Sequence, residues 1–319
     1  MTRATRSKTR VALLSVASNS LLVVFKVVVG LFIGSVAVLS EAIHSGVDLV
    51  AALIAFLAVR ASGREADERH PYGHGKFENV SGTIEAVLIF GAAAWIIYEA
   101  VRKLIDPQPV DMPGWGVLVM LVSALTNVFV SRRLFRVGKE TDSVALRADG
   151  WHLRTDVYTS VGVMMALLVI WIVDAARPEF DLYWLDPVIA ILVAVLILKA
   201  AWDLTRESAR DLLDVSLPEK DVDWIKDFVL NGWPEVRGFH HLRTRKAGPQ
   251  RFLEFHLVVE ESMSVSRSHS MGDEIVAAIK ERLPGARVTI HVEPCDHTCG
   301  PACEDGCSLR LDLGDRTEE

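Results

Sequence analysis

The chain has 319 residues, half of them hydrophobic, with a mean hydropathy of +0.28 and a formal net charge of −7. That length suggests two domains, and the hydropathy is high for a wholly soluble protein. Its four cysteines, Cys295, Cys299, Cys303 and Cys307, all fall in the last twenty-five residues, which excludes a fold framed by disulfides.

A basic start, Thr2 to Arg10, leads into an apolar run without a small-residue cleavage site, so a retained first helix is expected rather than a signal peptide. Six apolar runs lie near 11–33, 36–59, 80–101, 115–135, 150–173 and 187–204. Each approaches or exceeds the roughly 20 residues a helix needs to cross a bilayer. They predict a multi-pass α-helical membrane domain of six transmembrane helices over residues 1–214. An even number of spans puts both termini on one side, and the basic residues choose the side. Arg3, Arg6, Lys8 and Arg10 precede the first run; Arg60, Arg64, Arg69 and Lys76 follow the second; Arg132, Arg133, Arg136, Lys139 and Arg147 follow the fourth. The opposite side has only Arg102, Lys103 and Arg177, so both termini are expected in the cytoplasm, with the protein in the inner (cytoplasmic) membrane. Trp95, Tyr98, Trp115, Trp171, Tyr183 and Trp184 fall at the expected outer ends, as interfacial aromatic anchors should.

Asp186-Pro187 is a good start for the sixth helix, a cap followed by proline in the first turn. Leu217-Pro218 marks the passage to a soluble α+β domain over 215–294, with the order αββαβ: helices near 221–231 and 264–283, strands near 238–246, 251–260 and 287–293. Beyond Pro294 the composition predicts a flexible tail, 295–319.

Two short stretches carry matching chemistry. Glu41-Ala-Ile-His44-Ser-Gly-Val-Asp48 and Asp149-Gly-Trp-His152-Leu-Arg-Thr-Asp156 both read acid-x2-His-x3-Asp, and each opens an apolar run. Four-residue spacing stacks each histidine above its aspartate on one helix face. A carboxylate at the centre of a membrane helix costs about 2.5–3.5 kcal/mol, so such groups are usually partnered and functional. If the second and fifth helices meet, His44, Asp48, His152 and Asp156 make a set of two nitrogens and two oxygens suited to tetrahedral Zn²⁺, with Co²⁺, Fe²⁺, Mn²⁺ or Cd²⁺ also able to fit. All four groups also bind protons, so protons and metal compete there. Glu41 and Asp149 fall on opposite sides of this set, as acids for the outer and inner paths or as ordinary helix-start acids.

Asp67, His70 and His74 lie in a loop where Pro71, Gly73 and Gly75 forbid a regular helix, and they form a second candidate metal site. In the soluble domain, His291 and Glu293 alternate on one strand and so share a face, with His256 on another strand and His240 and His241 before the turn. His269 lies on the helix between strands, and His241 reads as an ordinary surface histidine. The cysteines repeat as C-x3-C-x3-C-x3-C, a metal-scavenging tail or an unstructured reduced one.

The paired intramembrane motifs, the loop His70-Pro-Tyr-Gly-His74-Gly-Lys76, and Leu-Arg-Thr-Arg245 followed by Gly248-Pro249 resemble the cation diffusion facilitator family, most closely its bacterial FieF/YiiP-type zinc and iron efflux members. The resemblance extends to about Pro294. It implies a homodimer of six-helix subunits with cytoplasmic metallochaperone-like (ferredoxin-like αββαβ) domains, exchanging cytoplasmic divalent metal for protons. It also implies transport through His44, Asp48, His152 and Asp156, a loop site of Asp67, His70 and His74, and a two-metal site at the dimer formed by His240, His256, His291 and Glu293 with His269 nearby. Lys76 would pair with Asp214. Two positions depart from the nearest relatives: His44 stands where they have aspartate, which favours zinc over harder ions, and Glu293 replaces an aspartate. The cysteine tail has no counterpart.

The function expected is therefore Zn²⁺ efflux by metal/proton antiport. Two other classes fit less well. An intramembrane metallohydrolase needs an open metal position and a general base, and no His-Glu-x2-His motif is present. A membrane-anchored metal sensor leaves the buried pairs unexplained. Nothing points to a nucleic-acid partner.

Overall fold

The computed structural model describes residues 3–33, 36–105, 114–176, 184–295 and 307. It divides into two compact units, Met1–Ala209 and Arg210–Glu319.

The first unit is built from α1 (Arg3–Ile33), α2 (Val36–Ser62), α3 (Lys76–Ile105), α4 (Gly114–Glu140), α5 (Val144–Ala176) and most of α6 (Leu185–Leu212). Every expected apolar run is a helix, and each helix exceeds its run because polar turns continue it. Four contain stretches long and apolar enough to cross a membrane among the described residues: Ala4–Phe32, Ser45–Ser62, Lys76–Ile105 and Pro187–Leu212. α4 and α5 are as long, with most of their charges gathered at the end of the one, Arg132, Arg133, Arg136 and Lys139, and in the first half of the other, Arg147, Asp149, Arg154 and Asp156.

This unit buries polar and charged side chains beside apolar clusters and turns many large apolar side chains outward. Lys8, Ser15, Asn19 and Lys26 of α1 are buried, as are Asp48 of α2, Glu78 and Glu85 of α3, Ser123 and Asn127 of α4, and Asp149 and His152 of α5. Leu21, Phe32, Leu125, Leu196 and many other large apolar side chains point outward. Such a surface is stable only against an apolar solvent or partner. Close helix approach is permitted by Gly82 of α3, where a Cβ would lie 2.7 Å from Ser208 Oγ and 2.9 Å from Val144 Cγ1. Small side chains beside it, Ala86, Ala93, Ala148 and Ala201, continue the packing.

Two helices end on aspartate. Asp142 and Asp214 take left-handed φ angles of 51° and 56°, and the next residue's N–H returns to the helix, Ser143 N to Gly138 O at 2.8 Å and Val215 N to Arg210 O at 3.0 Å. This is the six-to-one closure of a Schellman motif, with aspartate in the place usually held by glycine. The division between units falls within α6, upstream of Asp214, because acids at the end of that helix pair with the sheet: Asp211 with Lys246 at 3.9 Å and Asp214 with Arg245 at 3.4 Å.

The second unit follows the order α7 (Glu219–Gly232), β1 (Val236–Ala247), β2 (Gln250–Glu260), α8 (Val265–Arg282), β3 (Ala286–Cys295). The sheet order is β1-β2-β3, with β1 and β2 antiparallel and β2 and β3 parallel. Gly248 takes φ 57° at the first place of the two-residue hairpin loop, where a side chain would be strained. Ser264 caps α8 by accepting from the Arg267 N–H. Met271, Ile275 and Ile279 recur at four-residue spacing on α8 and pack with Ile225 and Val229 of α7 against Phe239, Leu253, Phe255 and Leu257.

The flexible tail expected from residue 295 is corrected at two cysteines. Cys295 is the last residue of β3, paired with Glu260. Cys307 is buried and makes an antiparallel bridge to Gly238. β1 is an edge strand, and its unpaired outer edge is free to accept such a bridge. Cys299 and Cys303 lie outside the described residues.

Candidate metal centres

α2 and α5 pack against each other and bring their ligand pairs together. His152 Nε2 lies 3.2 Å from Asp48 Oδ1, and one ligand atom each from Asp48, His152 and Asp156 fall within 4.8 Å of one another. Asp48 and His152 are 5% and 6% exposed, and His152 Nδ1 has no hydrogen-bond partner. His44 stands one turn before Asp48 on α2, with Glu41 before it; the side chains of both lie outside the described residues.

Asp149 is fully buried on α5 beside Ser15, and neither of its carboxylate oxygens is hydrogen-bonded. It is not a helix-start acid at an interface, because α5 begins at Val144. Sequence reasoning missed its companion. Glu85 of α3 is also fully buried, accepts one hydrogen bond from Ser81 Oγ at 3.3 Å, leaves Oε2 unpartnered, and lies within electrostatic reach of Asp149 and His152. The signal was present as an acid in the middle of an apolar run.

Another buried carboxylate, Glu78, has hydrogen-bond partners on both oxygens. Glu78 Oε1 accepts from Lys8 Nζ at 2.6 Å and from Ser62 Oγ at 2.5 Å, and Ser143 Oγ donates to Glu78 Oε2. Lys8, counted in the sequence only as a cytoplasmic positive charge, is thus also a buried structural cation tying α1 to α3.

The loop residues converge as their spacing suggests. Asp67 Oδ1 accepts from the backbone N–H of His70 at 2.7 Å and of Arg69 at 3.0 Å. Its two oxygens each lie 3.3 Å from an imidazole nitrogen, Nδ1 of His70 and Nε2 of His74. The backbone N–H of His70 holds the Asp67 carboxyl below its ordinary value, keeping it ionised as a ligand must be. Gly73, at φ 86°, makes the turn that returns His74 to the acid. His74 is buried and stacks on Phe77 at 5.8 Å, which fixes its ring.

In the second unit, strand register builds the cluster. His240 pairs with His256 across β1 and β2, and His256 pairs with His291 across β2 and β3, so three histidines form one row across the sheet. Glu293 joins them, its oxygens 2.7 Å from His256 Nδ1, 3.1 Å from His240 Nε2 and 3.5 Å from His291 Nε2. Partial burial holds the His240 imidazole below the ordinary histidine value, against the pull of Glu293, and its buried Nδ1 has no partner. A neutral imidazole beside a carboxylate is the donor chemistry a divalent metal requires.

His241 is exposed, as a surface histidine should be, and its ring lies 4.8 Å from that of His240 and 5.0 Å from that of His256. It occupies φ 54° at a register shift in β1, a bulge in the strand. His269 stays apart. α8 turns Ser268, Met271 and Ile275 inward, so His269 faces solvent, with Nε2 3.6 Å from Asp273 Oδ2.

Residues 12–213 match the family model of the cation efflux transmembrane domain, and residues 217–295 match that of the cytoplasmic domain of cation efflux proteins. The chain belongs to the cation diffusion facilitator family. It is 34% identical over 290 residues to the cation-efflux pump FieF of Escherichia coli strain K12, covering 91% of this chain and 94% of that one. It is 40% identical over 263 residues to an uncharacterized transporter of Synechocystis, covering 82% and 83% respectively. A solved structure from work on the putative zinc transporter CzrB is 41% identical over 25% of this chain and 98% of that chain, with a TM-score of 0.24. The protein is therefore a membrane cation efflux transporter and not an enzyme.

Proposed function

We propose that this transporter exports Zn²⁺ from the cytoplasm in exchange for protons. The observation that carries the reading is the convergence of Asp48, His152 and Asp156 inside the helix bundle, with His44 one turn from Asp48. Two imidazoles and two carboxylates favour zinc over harder ions such as Mn²⁺. Metal enters from the cytoplasm, the helices rock to face outward, and protons displace the ion by protonating the same groups. All six helices span the inner membrane with both termini in the cytoplasm, in keeping with the basic residues on that side. Glu41 and Asp149 serve as acids of the outer and inner paths. The loop site and the histidine row bind Zn²⁺ in the cytoplasm, where the second unit joins two subunits as a homodimer.

The test is transport by the full chain in liposomes. Zn²⁺ uptake should require an opposing proton gradient and should vanish in Asp156→Ala while the dimer remains folded. Uptake without proton counterflow sinks the antiport. Competition among Zn²⁺, Fe²⁺, Co²⁺, Cd²⁺ and Mn²⁺ in the same vesicles decides the ion, and preference for another metal would overturn zinc.

A further inference from the structure

A cleft of about 680 Å³ opens between the first turns of α1 and the last turns of α4. Four arginines line it: Arg6 and Arg10, one turn apart on α1, and Arg133 and Arg136 on α4. Val11 and Val137 form its apolar part, and no carboxylate lines it.

Several arginines elsewhere in the protein have acid partners. Arg147 is paired with Glu207, Arg245 with Asp214 and Arg267 with Glu235. Among the described residues no ion pair is made by Arg6, Arg10, Arg133 or Arg136, and all four are exposed. The one further contact is Arg133 over the Phe129 ring, at 5.5 Å. Four guanidinium groups sharing a cleft repel one another, and a bound anion relieves that repulsion with bidentate geometry suited to phosphate.

What adjoins the cleft selects the kind of phosphate. Along α1, Leu13 and Leu14 continue the face of Arg10 and are 53% and 38% exposed. Along α4, Phe129 and Leu125 continue the face of Arg133 and are 55% and 62% exposed. The cations therefore stand at the head of an exposed apolar stripe, where each helix passes from charged to apolar residues. A soluble phosphate leaves that stripe uncovered. A phosphate carrying acyl chains meets both halves. Basic pockets between membrane helices on the cytoplasmic side suit such headgroups.

We infer that Arg6, Arg10, Arg133 and Arg136 form a binding site for the headgroup of an anionic phospholipid, whose acyl chains lie along α1 and α4. The inference rests on the membrane reading of these helices and is independent of which ion is carried or how it is coupled.

The experiment is native mass spectrometry of the delipidated full chain in neutral detergent, titrated separately with phosphatidylglycerol, phosphatidylcholine and inorganic phosphate. Wild type should bind phosphatidylglycerol at least tenfold more tightly than phosphatidylcholine. With about fivefold per arginine near the surface, Arg6→Gln/Arg10→Gln and Arg133→Gln/Arg136→Gln should each weaken phosphatidylglycerol binding about 25-fold and leave phosphatidylcholine unchanged. Arg6→Lys/Arg10→Lys, which keeps the charge, should retain most of the binding. Size-exclusion elution and a thermal midpoint close to wild type in the same detergent report that the variants are folded. Equal binding of the two lipids by wild type, or unweakened binding by both glutamine variants, would overturn the site. Inorganic phosphate binding as tightly as phosphatidylglycerol would reassign it to a soluble anion and overturn the lipid.

Discussion

Single residues in this protein are held by partners far away in the chain. Lys8 and Glu78 are 70 positions apart, yet the 2.6 Å bond between them is buried. Removing one member of such a pair strands the other charge, at a cost of about 3–5 kcal/mol, whereas replacing both with neutral groups is close to harmless. Lys8→Met should therefore lower the thermal midpoint of the detergent-solubilised protein sharply, and Lys8→Met/Glu78→Gln should recover most of the loss. Equal midpoints for the two variants would show that the pair is not coupled. His241 presents the reverse situation, a side chain retained in backbone geometry that disfavours it. Left-handed φ costs a non-glycine residue about 1 kcal/mol or more. His241→Gly should raise the stability of the protein by about that amount while weakening Zn²⁺ binding in titration calorimetry. A midpoint that does not rise would remove strain from the account. Neither feature is legible locally. Lys8 looks like any basic residue before a membrane run, and His241 like any histidine beside another.

At the scale of elements, periodicity announced the helices and strands well, while their ends depended on caps and partners. The apolar run near 115–135 stops before the helix does, since α4 continues to Glu140 and closes on left-handed Asp142. β3 runs through Pro294 to Cys295 because β2 offers partners that far, Val259 and Glu260. α8 is tied to the segment before β1 by Arg267, whose Nε and Nη2 donate to the Glu235 carboxylate at 2.8 and 2.7 Å. That guanidinium holds the Glu235 carboxyl below its ordinary value of 4.5. A depressed carboxyl pKa means that the pair stabilises the fold above the ordinary value and loses its effect as pH falls through the lowered one. Arg267→Ala should lower the thermal midpoint at neutral pH, and the gap to wild type should close on acidification below about 4.5, as calorimetry at a series of pH values would reveal. A gap that persists in acid would assign the loss to packing instead.

The whole molecule combines a unit that exposes large apolar side chains with one packed like a soluble domain. In the first, many large apolar side chains face outward while Asp48, Glu78, Glu85, Asp149, His152, Lys8 and Lys26 are buried beside apolar clusters; in the second, helices α7 and α8 bury Ile, Met and Val against a sheet. The sequence by itself determined the order of the elements, the passage from membrane-length helices to αββαβ, and the two His-x3-Asp pairs, since all of these follow from neighbours within a few turns. Even the loop of Asp67, His70 and His74 was readable, because glycine and proline constrain so short a segment. Only tertiary structure decided which faces meet. It set His152 beside Asp48 across 104 positions, and it put buried Glu85 within reach of Asp149. Register aligned His240, His256 and His291 in one row and left His269 outside it. The physical reason is the same in each case: periodicity dictates which side chains share a face, whereas the partner of that face is chosen by helix packing and strand register, which no local pattern encodes.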